Sequence, residues 1–458
     1  MNSLAKVFAL GGIVLTILLF MHHLPTITVM GTQLRSVDIL SDIGSTSQAD
    51  LPDVLPAPKP ISHLTSIPHF HERHAKGVVP IDDYSDGRDG GMSHFYDMLA
   101  NVSSLNRPVR IAYFGDSFVE GDILLADLRE MLQARFGGNG LGWTDCVKGT
   151  NAFRPTVDMS VAGLTGYDLL NKHAFSTALQ SVNQRYSLPS AGAKVAYKAT
   201  SFRPHTAQWQ VARLFCIAPQ GVSVAVAMNG SAPAVRRLSP SADLQMVETA
   251  GRMTSVSYAF SAFGRGTVMH GVALESPRGV ILDNLGMRGI PGTSIASMPE
   301  SILKAYARLR PYDLIVLHYG VNAVAETSDA AYCKAYCEKM KKSIAKLRRC
   351  FPQASILIVG VADRDSRTAR GIHTMPSIEL LSAQQNVMAS ECGVAFFNIF
   401  KAMGGKDSML RLVNQGEANL DYTHINFKGG HRLAGYFYRS FLDGLDNYKR
   451  RKQAEKQE

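Results

Sequence analysis

The residues best suited to chemistry stand far apart in the chain, at Gly115-Asp116-Ser117 and at Asp421-Tyr422-Thr423-His424. A serine hydroxyl attacks a carbonyl only if a base takes its proton, and a neutral imidazole suits that task near neutral pH. A carboxylate three residues before the histidine can accept from its other ring nitrogen, fixing the tautomer and stabilising the imidazolium. Taken alone, Ser117 reads as readily as a helix cap, a position that Asp and Ser favour. The Asp-x-x-His pair tips the reading toward acyl transfer. That chemistry also requires hydrogen-bond donors where negative charge gathers on the carbonyl oxygen. Asn322, in Tyr319-Gly320-Val321-Asn322, offers a side-chain N–H₂. The stretch 283–289 offers backbone N–H groups that Gly286 or Gly289 would let approach.

These residues need elements to carry them to one place. The apolar run before Ser117 reads as a strand, and Val119, Ile123, Leu124, Leu128, Met131 and Leu132 recur at helical spacing after it. Ser117 is therefore expected at the carboxyl end of a strand and near the start of a helix. Ligand sites gather at that edge of open α/β sheets, and a helix start presents free N–H groups. Further strands are predicted near 279–282, 313–318, 355–361 and 394–399, and helices over 301–309, 330–348 and 375–390. Phe427, Leu433, Tyr436, Phe437 and Phe441 give a closing helix its apolar face.

The ordered set Gly115-Asp116-Ser117, Gly289, Gly320-x-Asn322 and Asp421-x-x-His424 resembles the four blocks of the SGNH (GDSL-type) hydrolases. The resemblance implies an α/β fold, a flavodoxin-like three-layer α/β/α domain shared by esterases, lipases, deacetylases and some acyltransferases. It implies that Ser117 is the nucleophile, His424 the base and Asp421 its orienting carboxylate. The implied oxyanion donors are the N–H of Ser117, the N–H of Gly289 and the side chain of Asn322, with Gly286 as the competing glycine. It spans 93–149 and 279–448, two parts of one hydrolase domain.

The rest of the chain has other textures. Its 458 residues leave room for two or three domains, and 46% hydrophobic with 19% charged content describes a folded protein. Residues 1–26 hold one lysine, Lys6, and then an apolar run, read as a signal-anchor or a signal peptide. Residues 27–92 are proline-punctuated and read as a flexible linker, whose histidines at 63, 69, 71 and 74 are spaced too irregularly for a metal site. Between the two hydrolase parts, 150–278 carries alternating segments and few helical periods. An inserted β-sandwich of carbohydrate-binding type is expected there. Trp209, Tyr186, Tyr197 and Phe202 are read as core before they are read as sugar platforms. Arg364, Arg367, Arg370 and His373 follow a strand end, as a substrate-contacting loop would. Residues 449–458 form a basic, solvated tail, part of a formal charge of +10.

The function this implies is a serine esterase that deacetylates peptidoglycan or another envelope polysaccharide through an acyl-enzyme, with no cofactor and no metal. One alternative is a polysaccharide O-acyltransferase using the same triad; another is a non-catalytic glycan-binding protein. The expected partners are the polysaccharide ester, the inner membrane through the N-terminal segment, and a membrane O-acyltransferase. No nucleic-acid module is recognisable. The expected location is the periplasm, or outside the cell if the N-terminal segment is cleaved.

Overall fold

The strand Val109–Gly115 is buried at all of its positions, as a run of β-branched and aromatic residues covered on both faces should be. Leu314–His318 and Ser355–Val359 are equally buried, for the same reason. The computed structural model describes residues 70–85, 91–171, 173–369 and 371–457, together with the strand pair Thr28–Val29 and Thr32–Gln33. That pair and 367–371 belong to a small compact unit, and a much larger unit lies within 53–366 and 372–458.

The centre of the larger unit is a six-stranded sheet. Five strands are parallel: Val280–Asn284, Val109–Gly115, Leu314–His318, Ser355–Val359 and Ala395–Phe397 in spatial order. Counted along the chain this is the order 2-1-3-4-5, that of flavodoxin-like doubly wound sheets. The switch point falls between Val109–Gly115 and Leu314–His318, where Gly115 pairs with His318. The helices Leu125–Phe136 and Ser93–Ala100 pack on Phe427–Ala454, while Ala330–Cys350 packs on Glu300–Leu309 and Pro376–Cys392.

Two sequence expectations about the ends are corrected. Of the stretch read as a flexible linker, 70–85 is part of the fold. Ile81–Asp83 is the antiparallel edge strand beside Ala395–Phe397, and the Arg73 and Ala75 N–H groups donate to Asn447 and Asp443 of the last helix. Of the basic tail, 449–454 continues the helix Phe427–Ala454, with Arg451 donating to Ser93 Oγ at 3.0 Å. The apolar period that buries Leu445 and Tyr448 carries the helix past its first basic residues. The N-terminal segment expected to meet the membrane lies outside the described residues. Among the described residues no helix is long and apolar enough to cross a membrane.

The stretch expected as a sandwich gives eight strands to one nine-stranded antiparallel sheet, with Gly142–Thr144 as the ninth, instead of two separate sheets. Its strand Arg185–Ala199 serves both halves: 194–198 pairs with 255–259, while Ser187 pairs with Met269. Val224, Leu214 and Val247 from opposite ends share one apolar cluster, so the ladder curves around a single core. Trp209, Tyr197 and Tyr186 are buried; Phe202 is half-buried against Phe427.

Candidate active site

All the parallel strands end at one edge, and the loops leaving that edge carry Ser117, Asn322 and the 285–290 stretch. His424 reaches the same edge from the start of the last helix. Its Nε2 lies 2.9 Å from Ser117 Oγ, and its Nδ1 lies 2.8 Å from Asp421 Oδ2. Asp421 Oδ1 accepts from the N–H groups of Thr423 and His424, at 3.0 and 2.9 Å. Burial raises the Asp421 carboxyl, but those donors and the imidazole outweigh it and hold it below the usual carboxylate range. It is thus a carboxylate at neutral pH, able to orient the ring and stabilise its charged form. The other imidazole at this edge, His318, is bonded to Tyr113 Oη at 3.1 Å, and burial pushes its pKa down to about 3. It is a neutral packing group beneath Phe118, not a second base.

The loop that brings His424 to Ser117 is tied down by its own backbone. Asn419 N–H donates to the His424 carbonyl, Tyr422 N–H to Asn419, and Asp365 N–H to Tyr422. Asn426 caps the last helix by accepting from Lys428 and Gly429. Gly430 then sits so close to the segment after the nucleophile that a Cβ there would come within 1.9 Å of the Ile123 carbonyl. Only glycine permits that approach between the last helix and the segment after Ser117.

Ser117 is not at a helix start. Glu120–Asp122 forms a short turn with φ of 78° at Gly121 and 64° at Asp122, and the helix begins only at Leu125. No helix end therefore faces Ser117, and other groups hold the turn. Asp116 is buried and accepts from Phe118 N–H at 3.1 Å. Burial pushes its pKa up to about 7, opposed by the N–H groups of Phe118, Asp116 and Gly320 and by the Asn322 side chain. Asn322, an exposed residue, is thereby oriented from below by a residue next to the serine.

The two glycines are now distinguishable. Gly286 is buried and its N–H donates to Asn284 Oδ1 at 3.0 Å. Gly289 is exposed with φ of 74°. Neither its N–H nor that of Ser117 meets an acceptor among the described residues. Met287 N–H donates to the Gly115 carbonyl at 2.9 Å, which fastens this loop to the strand that leads to Ser117.

A buried ionic cluster beneath the turn has no counterpart among the sequence expectations. Asp122 accepts from Arg129, from Arg154 at 3.0 Å, from Thr156 at 2.6 Å and from Asn284 at 2.8 Å. Burial alone would raise its pKa, yet Arg129 and Arg154 hold it far below the usual range. Arg185, from the antiparallel sheet, donates to Glu120 at 2.8 Å and to the Gly286 carbonyl at 3.0 Å; Arg288 pairs with Glu120 as well. The available signal was Glu120 and Asp122 inside an apolar helical pattern, without a basic residue one turn away. Of the arginine loop, Arg364 donates to the Val321 carbonyl beside Asn322 and His373 faces Asp407 at 3.4 Å. Arg367 belongs to the smaller unit and Arg370 lies outside the described residues.

No protein-family model and no curated protein matches the chain. Among solved structures it is similar to a peptidoglycan O-acetylesterase at 22% identity and a TM-score of 0.63, over 80% of this chain and 99% of that one. The chain has that esterase's fold. It also overlaps a family two carbohydrate esterase from Cellvibrio japonicus (10% identity, TM-score 0.25, 64% of this chain, 99% of that one). A GDSL-like lipase from Bacteroides ovatus overlaps similarly (12% identity, TM-score 0.26, 61% and 96%).

Proposed function

We propose that the chain is a serine ester hydrolase of the SGNH type that removes acetyl groups from peptidoglycan or a related envelope polysaccharide. The observation that carries this reading is the continuous chain Asp421–His424–Ser117, with contacts of 2.8 and 2.9 Å. In this reading Ser117 Oγ attacks the ester carbonyl carbon while His424 Nε2 takes its proton. The N–H groups of Ser117 and Gly289 and the Asn322 side chain receive the oxyanion; one such donor is typically worth about 10²–10³ in rate. The C–O bond to the sugar breaks, His424 returns the proton to the sugar oxygen, and the acetyl group stays on Ser117. Water, deprotonated by His424, then releases acetate.

The fold shared with a peptidoglycan O-acetylesterase supports the choice of substrate class. The apolar run at 7–20 supports a place in the envelope, with the remainder on the periplasmic side. The test is acetate release from O-acetylated peptidoglycan, followed beside an oligosaccharide acceptor. The wild type should release free acetate and Ser117→Ala none. Acetyl appearing on the acceptor instead would favour the transferase. Equal release by both proteins would remove the mechanism.

A further inference from the structure

The rim around Gly289 holds features that the triad does not use. Phe153 is 69% exposed, although it is a large apolar side chain on a well-anchored turn. Its neighbour Arg154 is buried and bonded to Asp122 and to the Trp143 carbonyl, and Asn151 is buried as well. The ring is thus held out into solvent by a fixed support. Arg288, the residue before Gly289, lies with its Cζ 5.8 Å from the Phe153 ring centroid. It pairs with Glu120 through Nε, and its side chain is 53% exposed. Its outer nitrogens make no hydrogen bond to a described residue. Leu170, also exposed, stands 4.0 Å from where a Cβ would sit on Gly289.

We infer that this rim is a subsite for a carboxylate-bearing sugar, with the Phe153 ring as platform and the Arg288 guanidinium as anion contact. The inference rests on the esterase reading for its place beside the reacting ester, and it narrows the substrate class. Three observations favour it over a mere surface pair. Glu120 already has a buried partner in Arg185, which also faces Asp145 at 3.5 Å, so Arg288 meets the same carboxylate from the solvent side. The acid lies inside and the guanidinium outside, so the face turned to solvent is cationic, and a planar guanidinium matches a carboxylate in two-point fashion. An aromatic face suits the apolar face of a sugar ring, and the Phe153 ring stays largely open to solvent with the Arg288 guanidinium 5.8 Å from its centroid.

The test separates this inference from the esterase reading by measuring binding on a protein that cannot turn over. Ser117→Ala full-length protein is titrated calorimetrically with an O-acetylated muramic-acid disaccharide, whose lactyl group carries a free carboxylate, and with the same molecule after carboxyl amidation. The carboxylated form should bind about tenfold more tightly, which is about 1.4 kcal/mol. Adding Arg288→Gln should abolish that preference, Arg288→Lys should keep part of it, and Phe153→Ala should weaken both forms about equally. Circular dichroism checks that each variant is folded; if Arg288→Gln is not, Arg288→Lys and Phe153→Ala carry the decision. Equal binding of both forms to the parent, or a preference that survives Arg288→Gln, overturns the inference. A preference that behaves as expected, in a wild type that hydrolyses no ester, sustains the subsite and removes the esterase reading alone.

Discussion

The two halves of the proposed triad are held by opposite means. On the serine side, Asp122 is fully buried and Glu120 nearly so, each gripped by arginines, two of which, Arg154 and Arg185, come from the 150–278 stretch. On the histidine side, the His424 and Asp421 side chains are 41% and 49% exposed, and backbone hydrogen bonds and one helix cap set their positions. Ser117 belongs to the core's electrostatics, His424 to a surface loop. The contrast teaches that substitutions on the two sides should fail differently: one side through folding, the other through chemistry.

That difference can be broken by a crossed measurement. His424→Ala should lower kcat by about 10⁴-fold or more, while changing unfolding free energy by about 0.5 kcal/mol or less, as exposed sites do. Asp122→Asn should do the reverse, costing about 3–5 kcal/mol because Arg129 and Arg154 would remain buried without their counter-charge. Urea unfolding and turnover of a chromogenic acetyl ester read both quantities. If Asp122→Asn kept its stability, the buried cluster would be incidental to the serine turn.

Asp116 gives a smaller effect that sharpens the comparison. Its folded pKa, about 7, lies above the ordinary carboxylate value, so the protonated form favours folding. That contribution is complete below about pH 4 and is lost as pH rises through 7. Relative to wild type, Asp116→Asn should therefore gain stability between pH 5 and 8, by about 1–4 kcal/mol, in thermal unfolding across that range. A pH-independent difference would place Asp116 in a different ionisation state.

The meeting of Ser117, His424 and Asp421 was legible because serine, histidine and carboxylate announce themselves by type, and Asp421-x-x-His424 by spacing. Leu314–His318 and its neighbours were legible because strands buried on both faces are continuous apolar runs. What stayed hidden depends on distant partners. Nothing local to Glu120 names Arg185, sixty-five residues on. That the Gly286 N–H is taken up turns on where the Asn284 side chain points. The single ladder in place of two sheets turns on one strand, Arg185–Ala199, pairing with different partners at its two ends. The docking of 70–85 depends on Asp443 and Asn447 at the far end of the chain.

The most direct test of the central claim is intact-protein and peptide mass spectrometry after treatment with a fluorophosphonate probe. One adduct on Ser117, formed quickly by wild type, at least about 10³-fold more slowly by His424→Ala, and absent from Ser117→Ala, is the expected result. A wild type that stays unlabelled, or labelling of Ser117 at the same rate without the His424 imidazole, would contradict it.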